Sequence, residues 1–153
     1  KPNLFAYPFG ENSSLAQEIV SRYFDAAFGQ HSGAFSIDQK FYIPRFPLNE
    51  NYSSLDRIRD ASQALPFSKI SLKPINALLS PASKRFVLDV EGGVNGINCF
   101  ISDFQGSIEK TFTKLENKLL IELDRLPVKG RLRFNCTRVD DGVYWFGYQY
   151  LIN

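Results

Sequence analysis

The chain has 153 residues, enough for one ordinary domain or for a small domain plus part of another. At 44% hydrophobic and 14% aromatic it has the apolar content of a packed core, which excludes a disordered chain. Its 18 basic and 16 acidic residues nearly cancel, so no strong field draws nucleic acid, and no apolar run approaches the roughly 18 residues that span a bilayer.

In chain order, Phe5-Ala6-Tyr7-Pro8-Phe9-Gly10-Glu11 comes first. Pro8 fixes its own φ and biases Tyr7 toward an extended conformation, and Gly10 permits backbone angles that other residues avoid. A tight turn follows, either an ordinary strand end or a set of main-chain N–H groups suited to a developing oxyanion. Residues 14–24 read as a short helix with a Ser14/Gln17 capping box and Leu15, Ile19, Val20 and Tyr23 on one face. Residues 25–30 read as a strand. A glycine-containing loop then leads to Ile43-Pro44-Arg45-Phe46-Pro47. A second helix is expected over 54–65, ended by Pro66, and residues 66–83 read as a linker that wraps a surface.

The texture changes near residue 80. Segments 85–90, 97–102, 107–113, 118–124, 131–138 and 143–151 alternate or are β-branched and aromatic, with turn residues between them. Asp141-Gly142 between Val139 and Val143 is a hairpin signal. Six short strands at near-regular spacing argue for a small antiparallel sandwich over residues 84–153. Cys99 and Cys136 each sit in a strand-like run, and fit either a cross-strand disulfide in an exported protein or two buried thiols. Their spacing suits no zinc site.

Few residues carry chemistry on their own. His31, the only histidine, follows a strand; it suits a general acid or a substrate contact, or is an exposed loop residue. Arg45 suits an ion pair with a carboxylate near a metal, a substrate oxygen, or loop carbonyls. In the last strand Tyr144, Phe146, Tyr148 and Tyr150 share one face and Trp145, Gly147 and Gln149 the other. An exposed aromatic face there would be a sugar-stacking platform; otherwise one face builds the core and the other packs on the N-terminal part.

The aromatic-Pro-aromatic-Gly turn at residues 7–10, the helix and strand after it, and Pro44-Arg45-Phe46-Pro47 resemble, in that order, the C-terminal stretch of NodB-type polysaccharide deacetylases. The resemblance covers roughly residues 4–75. It implies that residues 1–80 are the closing segment of a deformed (β/α) barrel, with residues 84–153 an appended β domain. It also implies zinc-dependent removal of N-acetyl groups from an amino-sugar polysaccharide in the complete enzyme. The Asp and His zinc ligands would lie upstream and not in this chain, which alone would then be inactive. Phe9 would donate its backbone N–H to the oxyanion, with Gly10 shaping the turn and Arg45 beside the metal; Tyr7, His31 and Trp145 are the substrate-facing candidates. The family more often has Tyr at the position of Phe9, and Arg where Ala6 stands. Implied partners are the polysaccharide and either the upstream half of the same protein or a second copy of this chain, and the implied location is the bacterial periplasm or exterior. The rival from another class is a non-catalytic carbohydrate-binding or interaction module. A third reading, a self-contained α+β domain, expects a closed core in residues 1–80, whereas a fragment expects exposed strand edges and apolar surface there.

Overall fold

The computed structural model describes residues 2–49, 53–79 and 84–153, and most of the regular secondary structure among them is β-strand. The chain opens with β1 (Leu4–Ala6), a single helical turn at Pro8–Gly10, helix α1 (Ser14–Ser21) and β2 (Ala26–Phe28). The strands β1 and β2 pair in parallel, and Ile43 bridges to Phe28 on the far side of β2. Ser13, not Ser14, caps α1: its extended backbone leaves the hydroxyl free to accept from Ala16 N–H. Val20 is buried with Tyr7, Ala27 and Tyr42 in a small core, whereas Leu15, Ile19 and Tyr23, four residues apart, are exposed, as is Leu4 on β1.

Helix α2 (Leu55–Gln63) is capped by Ser54, whose hydroxyl accepts from Arg57 N–H. Leu55 and Ile58 on this helix are exposed, and Arg57 is the least exposed residue of its first turn. Beyond α2, Leu65 pairs with the edge of the last strand, donating to Val143 and accepting from Trp145 N–H, both at backbone atoms. Residues 66–79 are not a simple linker. They contain β3 (Ile70–Lys73) and β4 (Leu78–Leu79), each built into one of the two large sheets; residues 80–83 lie outside the described residues.

The six expected strands are present, with one of them divided. They are β5 (Arg85–Val90), β6 (Asn98–Asp103), β7 (Gly106–Ser107), β8 (Lys110–Leu115), β9 (Lys118–Leu123), β10 (Gly130–Val139) and β11 (Val143–Ile152). One sheet runs β4-β11-β10-β6-β7 and the other β3-β5-β9-β8. Side-chain alternation explains the sandwich: Phe86, Leu88 and Val90 of β5 and Leu119, Ile121 and Leu123 of β9 point inward. They meet Cys99, Ile101, Leu132, Phe134, Phe146 and Tyr150 of the five-stranded sheet. The hairpin at Asp141-Gly142 sets the β10–β11 register, with Val139 opposite Val143. Cys99 and Cys136 are directly opposite on β6 and β10 and form a disulfide within the core. Asp103 also faces inward; Arg125 binds its carboxylate through two nitrogens. No helix is long and apolar enough to cross a membrane among the described residues.

The fold is therefore all-β, and the expected closing segment of a (β/α) barrel, within an α/β plus all-β chain, is corrected by it. Strands take up 41% of the described residues and helices 16%, with two α-helices among them. A barrel segment repeats strand and helix, each helix returning to a parallel strand. Here only β1-α1-β2 does so. After α2 the chain joins the edge of β11, and Ile70–Lys73, with Leu72 buried, pairs antiparallel with β5. Its two-residue alternation buries more as a sandwich strand than as a surface-wrapping linker.

Candidate functional site

The outer face of the five-stranded sheet carries three cross-strand rows, fixed by register. Asn98, Thr137 and Trp145 form the first, Phe100, Asn135 and Gly147 the second, and Ser102, Arg133 and Gln149 the third. At strand spacings this floor is about 10 Å wide and about 14 Å long. Its β11 side is covered by loop 29–34. Gly147 makes the contact: a Cβ there would lie 1.7 Å from the Ser32 carbonyl oxygen, and one on Gly33 would lie 2.9 Å from Gly147 N. Ala34 N–H donates to Trp145 C=O across the same seam. The loop thus becomes a wall, and between it and β10–β6 opens a trough of about 530 Å³. Gln30, His31, Ser32, Pro47 and Arg57 form its sides.

Trp145 anchors one end. Its ring meets Phe46 edge-on at 5.0 Å, its indole N–H points to Asn135 Oδ1 at 3.4 Å, and the Arg57 guanidinium lies 4.8 Å from its ring centre. Phe100 is half exposed on the opposite side. Arg133 Nε approaches Gln149 Oε1 at 3.4 Å, and Gln149 in turn donates to Gly10 C=O. The same carbonyl accepts from the Tyr42 hydroxyl at 3.0 Å, so one backbone oxygen ties the N-terminal turn to the sheet.

The structure brings together two of the candidates stated from the sequence, His31 in a side of the trough and Trp145 on its floor. His31 is not an exposed loop residue; it is 2% exposed and lies against Tyr42 at 4.3 Å. Neither ring nitrogen has a hydrogen-bond partner among the described residues, and burial pushes the imidazole down to about 3. Arg45 lies outside the trough beside a second hollow with Gln30 and Pro47; its Nε donates to Gly29 C=O and its N–H to His31 C=O. Tyr7 is buried in the small core, and burial pushes its phenol up to about 12. The turn itself is closed by Gly10 N–H donating to Tyr7 C=O. Phe9 sits at φ 56°, where a bulky residue is rare, and its ring is 66% exposed with Arg131 above it. A Cβ on Gly10 would lie 2.6 Å from Gln30 N, so the residue is fixed as glycine by space as well as by φ. Phe9 and Gly10 are not part of the trough lining.

Tyr144, Phe146, Tyr148 and Tyr150 do not form an exposed platform; they pack on the sandwich core, with Phe146 and Tyr150 buried. Sequence reasoning passed over Asn98, Phe100, Ser102, Arg133 and Thr137 as trough residues, and Arg57 on α2. Their signal is alternation: Asn98-x-Phe100-x-Ser102 and Arg133-x-Asn135-x-Thr137 are the outward positions of core strands.

No group of three or more His, Cys, Asp or Glu side chains that could hold a metal ion occurs among the described residues. Among the described residues the trough lining presents one imidazole, amides, hydroxyls and guanidiniums, and no carboxylate. This donor set does not fit a zinc centre. No protein-family model, no curated protein and no solved structure matches this chain.

Proposed function

We propose that the trough binds a segment of polysaccharide and that this chain is a carbohydrate-binding module. The observation that carries the reading is the lining itself. Pyranose rings present apolar C–H faces and a rim of hydroxyls. The trough offers Trp145 and Phe100 for the former, and Asn98, Asn135, Ser102, Thr137 and Gln30 for the latter. A disulfide in the core supports an oxidising location, hence the periplasm or exterior, where such polymers are found. The test is titration calorimetry of the purified chain with oligosaccharides, in the presence of a chelator. The expected result is metal-independent binding that Trp145→Ala weakens about tenfold or more. Unchanged affinity in that variant would contradict the assignment.

A second reading, that the chain contributes to a polysaccharide deacetylase as the sequence resemblance implies, is favoured by the Phe9 turn. Left-handed backbone at a bulky residue costs roughly 1–3 kcal/mol, and such strain clusters at functional sites. The metal, the ligands and the base would then be supplied by residues outside this chain. Acetate release from a chitooligosaccharide by the purified 153-residue chain would contradict that division of labour.

A further inference from the structure

We propose that Arg57 is a displaceable cover over Trp145: its guanidinium holds the indole face that a sugar ring must take, and binding requires it to swing away. This rests on the carbohydrate-binding reading above and adds how that site is kept closed. Trp145 is tied to the floor by its indole N–H, which points to Asn135 Oδ1. Phe46 meets its ring edge-on, and the Arg57 guanidinium sits 4.8 Å from the indole centre and 5.3 Å from the Phe46 ring centre. Atoms in contact lie about 3.5–4.0 Å apart, so a pyranose between guanidinium and indole would need about 7–8 Å. Sugar and guanidinium therefore compete for one face. Arg57 and Trp145 both line the trough, so this competition takes place inside the site.

The element that carries the cover is built to move. Helix α2 buries none of its residues, and its larger apolar side chains, Leu55 and Ile58, are exposed. At 9 residues it is too short to stand on helix propensity alone. The chain leaves the helix at Ala64, whose backbone is extended. The next residue, Leu65, is pinned to β11, donating its N–H to Val143 C=O and accepting from Trp145 N–H. Ala64 is thus a pivot between a fixed strand edge and a loosely packed helix. Arg57 stands about 10 Å along the helix from that pivot, so a modest rotation carries the guanidinium off the ring. A guanidinium on a part-exposed indole holds the covered state about fivefold over the open one, which is about 1 kcal/mol. Arg57 has a further partner as well, which adds to the covered side and makes fivefold the lower figure. The apparent affinity for a stacking sugar is reduced by the same factor.

Trp145 is the only tryptophan, so fluorescence reports the covered ring alone. The test combines acrylamide quenching without ligand and calorimetry with two neutral probes, chitohexaose and cellohexaose. The proteins are the wild type, Arg57→Gln, Arg57→Lys and Arg59→Gln. Arg59 is exposed on the same helix and paired with Asp56, so its variant makes the same charge change away from the ring. Arg57→Gln should make Trp145 more quenchable and tighten binding about fivefold. Arg57→Lys keeps the cation and the alkyl stem but lacks the planar face. It should fall between the wild type and Arg57→Gln in both measurements. Arg59→Gln should match the wild type in both. Unchanged or weaker binding in Arg57→Gln, with Trp145→Ala still weakening the wild type, overturns the cover and leaves the module reading standing. An effect in Arg59→Gln as large as in Arg57→Gln also overturns it, because the change is then a general loosening of α2. Failure of both the wild type and Arg57→Gln to bind either probe overturns both.

Discussion

His31→Phe isolates the energetic consequence of burying a titratable ring with nothing to bond it. The native ring is held down at about 3 by burial, whereas in an unfolded chain it titrates near 6.5. As pH falls from 6.5 toward 3, the unfolded state therefore takes up a proton that the native state refuses. Stability conferred above pH 6.5 is lost at about 1.4 kcal/mol per unit through that window. Between pH 8 and pH 5 the accumulated loss is about 2 kcal/mol, a large share of a typical 5–15 kcal/mol. Phenylalanine keeps the ring contact with Tyr42 at 4.3 Å and removes the titration. Because neither imidazole nitrogen has a partner among the described residues, the substitution strands no hydrogen-bonding group at pH 8. Urea unfolding of both proteins at pH 8 and pH 5 yields a double difference in which all other titrations cancel. The wild type should lose about 2 kcal/mol more than the variant. The Asp103 carboxyl, held below its usual range chiefly by its hydrogen bond from Arg125, acts in a lower window: its contribution persists above pH 4 and disappears only on further acidification. Equal losses in the two proteins, or an imidazole that titrates near 6.5 by NMR in the folded chain, would refute the burial argument.

Gly147→Ala places a methyl group on the Ser32 carbonyl, so the loop must leave the sheet; we expect about 3 kcal/mol of destabilisation and loss of oligosaccharide binding, read by urea unfolding and calorimetry. Unimpaired binding in this variant would show that the loop is not the trough wall. Reduction of Cys99–Cys136 opens a loop with 37 residues of sequence separation and should lower stability by about 4 kcal/mol on the chain-entropy account. Identical urea midpoints with and without reductant, with thiol content confirmed by mass, would show that the bond does not constrain the unfolded chain.

Much of the sandwich is legible in the sequence because its strands alternate cleanly and are punctuated by turn residues. Lys118–Leu123 is the plainest case, with every second side chain buried. The short strands β3 and β4 are not legible. They lie among prolines, and their pairing is decided by distant partners, β5 for one and β11 for the other. Apolar spacing on α1 misleads for a related reason: Leu15, Ile19 and Tyr23 mark a helical stripe, yet the side that packs carries Ala16 and Val20. His31 reads as a loop residue because nothing local shows that Gly33 and Gly147 let the loop settle onto the sheet.

The trough is hidden from sequence for a deeper reason. Its floor uses the positions that the core does not, on strands that are neighbours in space and not in sequence. A polar residue at such a position is ordinarily only solvated. It acquires meaning from register: Asn135 becomes a site residue because Phe100 and Gly147 flank it, and that pairing depends on β6 and β10 meeting at Cys99 and Cys136. The wall adds a second condition. Gly10 C=O receives both the Tyr42 hydroxyl and the Gln149 amide, so the N-terminal turn, the segment that carries Tyr42 and the sheet are fastened at one oxygen. Aromatic, amide and guanidinium groups drawn from α2, the loop and three strands can then converge only when both parts are folded. A site assembled in this way is a property of the docked whole, and the carbohydrate binding proposed for it should be lost wherever that docking is lost, even when every lining side chain is kept.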